Sequence, residues 1–213
     1  MPNMRVLLFS LFLMGSCTGS ENQSTTPMPD PQPEANPATQ GEAMEHQTLT
    51  LGAGCFWCTE AVYEQLDGVL DAVSGYMGGH VEDPSYAEVC SKRSGHVEVT
   101  QVTFDPARID VGTILEWFWK LHDPTSMDRQ GADAGPQYRS AIFFHNEAQE
   151  AEAKRQIAAI NGSGELSKPI VTEVRPAVTF WDAGEDHQDY FRKHPEQAYC
   201  RMVIAPKLKK LDL

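Results

Sequence analysis

The chain has 213 residues, 17 Lys and Arg against 30 Asp and Glu, and a formal net charge of −13. Apolar residues at 41% and charged residues at 22% suit a chain with a sizeable core, not a disordered one. Acidity of this degree disfavours nucleic acid and anionic lipid surfaces, and no apolar run reaches the roughly 20 residues a spanning helix needs.

The first seventeen residues read as an address. Arg5 precedes the apolar run Val6 to Met14, and Gly15-Ser16-Cys17 follows. A positive start, a short apolar stretch and small residues describe a signal peptide. Leu13-Met14-Gly15-Ser16-Cys17 also resembles a bacterial lipobox, in which Cys17 would be acylated and become the mature N-terminus; the simpler alternative is a signal peptide with a chance Cys. Acylation would anchor the protein to a membrane without a spanning helix. Residues 18–46 hold five acids, no Lys or Arg, and Pro27, Pro29, Pro31, Pro33 and Pro37. With almost no large apolar side chains, this segment is expected to be a disordered tether. The domain is expected over 47–213, where 25 acids and 16 bases leave a net charge of −9.

Within the domain, strands and helices alternate. Thr48-Leu49-Thr50-Leu51 predicts a strand that bends at Gly52-Ala53-Gly54, and Phe56 to Leu66 predicts a helix. Val69 to Tyr76 predicts a strand ending at Met77-Gly78-Gly79, and Asp83-Pro84 predicts a helix start. His96 to Phe104 reads as a strand, Ile114 to Leu121 as an aromatic-rich helix, and Arg139 to His145 as another strand. Asn146 and Gln149 form a capping-box-like start for a helix reaching Ile160. Ile170 to Phe180 supplies one or two strands split by Pro176. This order predicts an α+β domain with one main sheet.

The chemistry points to Cys55. Gly54-Cys55-Phe56-Trp57-Cys58 stands where a strand passes through glycine into a helix. A Cys at a helix N-terminus faces unpaired N–H groups and the positive end of the dipole, which favour a thiolate. Cys58, one turn on, could attack an oxidised Cys55. Two other uses remain open from spacing alone. One is a structural disulfide, although so small a loop restrains the unfolded chain least. The other is a zinc site drawing on Cys90, Cys200 and histidines, although no second CxxC or spaced His pair supports it.

Beyond that motif, Gly54-Cys55-Phe56-Trp57, Gly75-Tyr76-Met77-Gly78-Gly79, Ser85-Tyr86-Ala87-Glu88-Val89-Cys90-Ser91 and Gly95-His96-Val97-Glu98 resemble the methionine sulfoxide reductase A family. His122-Asp123-Pro124, Arg129-Gln130-Gly131, Asp133, Gln137 to Ile142 and Asp186-His187-Gln188-Asp189-Tyr190 continue in the family's order. The resemblance covers roughly 48–206. It implies a two-layer α+β sandwich, a ferredoxin-like plait around a mixed, mainly antiparallel sheet, with flanking helices and a long irregular C-terminal tail.

The same resemblance implies reduction of the S epimer of methionine sulfoxide, free or in proteins. Cys55 is then the nucleophile, Glu98 the acid that protonates the departing oxygen, Tyr86 and Tyr138 its hydrogen-bond donors, and Asp133 a supporting acid. Phe56 and Trp57 form the apolar wall for the methyl group. Cys55 becomes a sulfenic acid, resolved through Cys58 or Cys200, and a thioredoxin-like donor (or dithiothreitol in vitro) restores the thiols. No bound cofactor or metal is implied. The leader predicts export, with a periplasm-facing, lipid-anchored enzyme. Without the family, Glu98 reads as a solvent-facing strand residue, Tyr86 and Tyr138 as edge tyrosines, and Asp133 as a turn residue. Two other functions compete: a thioredoxin-like dithiol oxidoreductase, and a non-enzymatic lipoprotein adaptor with a structural Cys55–Cys58 bond.

Overall fold

The structure, a computed structural model, describes residues 45–213; the leader, Cys17 and all but the end of the tether lie outside them. Strand β1 (Gln47–Ala53) leads into helix α1 (Phe56–Tyr63), then β2 (Val69–Met77), α2 (Tyr86–Cys90), β3 (Val97–Phe104) and α3 (Val111–Leu121). A small hairpin of β4 (Arg129–Gln130) and β5 (Asp133–Ala134) precedes a 3-10 turn at Pro136–Tyr138 and β6 (Ser140–Phe144). Helix α4 (Glu147–Ser163), strands β7 (Glu173–Pro176) and β8 (Trp181–Asp182), the short α5 (Tyr190–Lys193), a π-helical turn at Cys200–Ile204 and α6 (Ala205–Lys210) complete the chain.

The six-stranded sheet runs β7-β6-β1-β3-β2-β8. Its inner four strands are antiparallel throughout, and with α1 and α3 as crossovers they make the ferredoxin-like plait. Only β7 pairs in parallel, with β6 at one edge. Strand alternation sorts the side chains by face. Leu49, Leu51, Val102 and Phe104 point to the helices, where they bury against Val62, Ile114, Leu115 and Phe118. Met77, Val97, Val99 and Phe143 bury on the opposite face under Phe180. Each fully buried side chain of this size contributes about 1.5–3 kcal/mol, so both faces are held firmly.

Several boundaries differ from the pattern reading for identifiable reasons. Helix α2 starts after Ser85, not at Asp83-Pro84, because Ser85 and Glu88 form a reciprocal capping box. Helix α3 begins three residues earlier than its aromatic stripe, since Asp110 caps it by accepting the Thr113 N–H at 2.7 Å. Asn146 caps α4 as expected, accepting from Gln149 N–H at 3.0 Å, but the Gln149 side-chain Oε1 accepts from His145 N–H rather than from Asn146 N–H. Residues 164–199 are mostly irregular, as the family resemblance implied. The last segment is not: Cys200, Ile204 and Leu208 bury one side of a helical end in the main core. Among the described residues no helix is long and apolar enough to cross a membrane.

Candidate active site

The site is built where β1 meets α1. Gly54 sits at φ +93°, a conformation open to glycine, and any Cβ there would meet the Gln130 side chain at 2.8 Å. This bend places Cys55 at the N-cap of α1, with extended backbone and its carbonyl accepting from Cys58 N–H at 3.1 Å. Cys55 is only 8% exposed. The next residue, Phe56, donates its N–H to Glu98 Oε2 at 3.2 Å, so the first turn of the helix and the carboxyl on β3 are tied together.

Glu98 is 2% exposed. Its neighbours Val97 and Val99 point into the opposite core, so alternation drives Glu98 into the helix-facing layer rather than out to solvent. Burial pushes its pKa up to about 8; the nearby Asp133 and Cys58 add to the rise and the Phe56 N–H opposes it. At neutral pH it is therefore mainly a protonated carboxylic acid that can donate.

Cys55 departs from expectation. Its position at a helix start favours a thiolate, but burial pushes the thiol well above its ordinary value, and the hydrogen bond with Cys58 and the charge of Glu98 push the same way. Desolvation of a nearly closed site outweighs the helix terminus here. Cys58 moves oppositely, down to about 7, first because it takes a hydrogen bond from Cys55 and further because of the Lys207 ammonium. Of the two sulfurs, Cys58 is thus the more readily ionised.

The other expected residues gather around this pair to different degrees. Tyr138, from the 3-10 turn, and Tyr86, at the start of α2, lie within the electrostatic reach of Glu98, and burial keeps both phenols protonated. Tyr86 is the more open, with its ring 4.6 Å from His187. Asp133, on β5, accepts a hydrogen bond from Tyr199 at 2.6 Å, and the Tyr199 hydroxyl also stands 3.8 Å from Cys58 Sγ. Phe56 is buried, with its ring 5.7 Å from Tyr76, and lies at the floor of the site. Trp57 is its wall, stacked on Tyr190 at 3.7 Å and on His187 at 5.7 Å.

All four cysteines of the described residues are free. Cys200 is fully buried, packed in the same core cluster as Cys58, and burial pushes its thiol up. It therefore sits in the core, within electrostatic reach of Cys58, and not on a loose arm. Cys55, Cys58, Tyr199, Asp133, His122 and Lys207 line a cleft of about 380 Å³. Among the described residues no three His, Cys, Asp or Glu side chains stand together as a metal would require.

Three residues of the site were not picked out from sequence. Nothing in the sequence pattern singles out Tyr199, although an aromatic next to a candidate resolving Cys is itself a signal. Tyr190 was read as part of a motif, and its stacking on Trp57 depends on a loop returning across α1. Glu60, 1% exposed, holds that loop by accepting from Asp189 N–H at 3.1 Å and Tyr190 N–H at 3.3 Å; burial pushes its pKa up to about 7.

A buried sulfur at a helix start, a protonated carboxyl tied to the same turn, phenols as donors and a second sulfur one turn on can together reduce an electrophilic sulfur and close a disulfide. Comparison with known proteins agrees. The family model for peptide methionine sulfoxide reductase matches residues 47–212. A protein named peptide methionine sulfoxide reductase MsrA from Ralstonia nicotianae is 51% identical over 177 residues, spanning 81% of this chain and 93% of the relative. One of the same name from Thermus thermophilus is 50% identical over 170 residues, spanning 78% and 94%. Among solved structures, reduced Mxr1 from Saccharomyces cerevisiae superposes with a TM-score of 0.68 at 34% identity, covering 73% of this chain and 90% of that one. Methionine sulfoxide reductase A of Corynebacterium diphtheriae gives 0.64 at 30%, covering 71% and 76%. The chain therefore belongs to the peptide methionine sulfoxide reductase family of oxidoreductases.

Proposed function

We propose that the protein reduces the S epimer of methionine sulfoxide, in proteins and as the free amino acid, to methionine. The observation that carries this reading is Glu98: a carboxyl buried to 2% exposure, held by Phe56 N–H at the foot of the helix that presents Cys55. Sulfoxide oxygen leaves poorly unless it is protonated, and a carboxyl kept neutral by burial can supply that proton.

Cys58, held near 7, takes the proton of Cys55. The Cys55 thiolate then attacks the sulfoxide sulfur while Glu98 gives its proton to the oxygen, with Tyr86 and Tyr138 donating to the charge that develops there. The oxygen passes to Cys55 as a sulfenic acid, methionine departs, and Glu98 is left as a carboxylate. Attack by the Cys58 sulfur expels the oxygen as water and closes the Cys55–Cys58 disulfide. Cys200, in the same core cluster as Cys58, is the second thiol open to exchange with that bond, once the C-terminal segment that buries it moves. A thioredoxin-like dithiol, or dithiothreitol in vitro, returns both thiols by exchange and is itself oxidised.

The same reading places the enzyme outside the cytoplasm on an acylated Cys17, supported by Arg5, the apolar run before Gly15 and the proline-spaced segment after it. Mass spectrometry of the membrane fraction tests the anchor: an unmodified N-terminus at or beyond residue 17 rules it out. The enzyme test uses the full chain with dithiothreitol and, separately, the S and R epimers of a blocked methionine sulfoxide. Reduction of the S epimer alone, lost in Cys55→Ser, is the expected result; no reduction of either epimer by folded, reduced protein refutes the reading.

A further inference from the structure

Tyr76 carries a buried hydroxyl beside Cys55 and Glu98 that the mechanism above leaves unused. It is 1% exposed, and its hydroxyl has no hydrogen-bond partner in the structure. Burying a hydroxyl without a partner costs about 1–3 kcal/mol, so an unpaired buried hydroxyl calls for an explanation. By contrast Tyr63, buried in the same layer, donates to Ile114 O at 3.0 Å.

The position of Tyr76 supplies the explanation. Across the β2–β3 ladder its partner is Glu98, so both side chains leave the sheet on the same face as neighbours. It packs in one cluster with Cys55 and Phe56, with Tyr138 against the cluster's edge. The charge of Glu98 and the Tyr138 phenol are both felt at its hydroxyl. Its burial is no obstacle, because Cys55 and Glu98 are nearly as closed, and the reacting oxygen has to reach them too.

We propose that the Tyr76 hydroxyl is a third donor to the sulfoxide oxygen, left without a partner until substrate arrives. This rests on the reductase reading and extends its set of oxygen-binding groups. A donor aimed at the place where charge develops acts more on kcat than on KM, and losing one such donor costs about 100- to 1000-fold in rate. With Tyr86 and Tyr138 still present to share the load, a smaller fall of about 10- to 100-fold is expected.

Tyr76→Phe keeps the ring and removes only the oxygen. The full chain and this variant are compared for reduction of a blocked S-sulfoxide by dithiothreitol and for the urea midpoint, with Tyr63→Phe alongside. The expected result is a 10- to 100-fold fall in kcat with a smaller change in KM, while the urea midpoint of Tyr76→Phe rises or holds. Tyr63→Phe should do the reverse, keeping kcat and losing midpoint. A kcat within twofold of the parent overturns the proposal. So does a fall in both kcat and midpoint, since the hydroxyl would then have a partner in the resting protein. If the unsubstituted chain reduces no sulfoxide, it is the reductase reading itself that fails, and Tyr76 is not needed to explain it.

Discussion

Replacing Glu98 with Gln separates its chemical role from its structural one. Gln is nearly isosteric and retains a carbonyl oxygen for the Phe56 N–H, but it carries no acidic proton. Loss of a general acid costs about 10²- to 10⁴-fold in rate. Burial also gives a stability effect of known sign. The carboxyl titrates at 4.5 when exposed and at about 8 in the folded protein. A raised folded value means that the native state holds the proton more tightly than the unfolded chain does. Stability is therefore full below pH 4.5, is lost as pH rises toward 8, and levels off above it. At about 1.4 kcal/mol per pH unit the whole loss is on the order of 5 kcal/mol, an upper figure for one group. Glu98→Gln escapes this loss, so its stability relative to the parent should climb steadily across that window. The assay is a single turnover by pre-reduced protein, with methionine counted after rapid quench, beside urea unfolding from pH 5 to 9. The parent rate should show an inflection near pH 8 that is missing in the variant. A Glu98→Gln rate within threefold of the parent would refute the acid role, and parallel stability curves would refute the raised pKa.

Other outcomes follow from the same geometry. Cys58→Ser should still release about one methionine per protein in a single turnover, more slowly because Ser cannot take the Cys55 proton, and should recycle slowly because Cys200 is buried; unchanged steady-state turnover would show that Cys58 is not the first resolving group. Gly54→Ala forces a side chain into positive φ and against Gln130, and should cost at least 1–3 kcal/mol in urea unfolding together with most of the activity; a wild-type midpoint would show that the bend is not required. Asn146→Ala removes the α4 cap and should lower stability by about 1 kcal/mol without altering turnover, since α4 lies away from the cysteines; any loss of rate at full folding would contradict this.

How much of this was legible beforehand can be told residue by residue. The strand–glycine–Cys–helix junction at 54–56 is local chemistry: a bend that tolerates positive φ, then a helical pattern, both written in adjacent residues. The element order was legible for the same reason, as was the Asn146 cap. Boundaries shifted where a short-range hydrogen bond outbid a pattern, as with Ser85 and Glu88 at α2. The motif strings picked out Cys55, Glu98, Tyr86, Tyr138 and Asp133 only through their joint resemblance to a family, since each residue alone had a commoner surface role.

Long-range packing decided the rest. The protonation of Cys55 and Glu98 depends on how completely distant segments close over them, which no local spacing encodes, and here desolvation overrode the helix terminus. Tyr199 and Asp133 lie 66 residues apart and meet only because the C-terminal segment folds back over the cleft. Tyr76 and Glu98 became neighbours through strand register, a property of two segments and not of either one. Sequence determined which groups were present and the local turns that present them; the tertiary fold determined which groups met and whether water could reach them, because burial and cross-strand contact arise between segments.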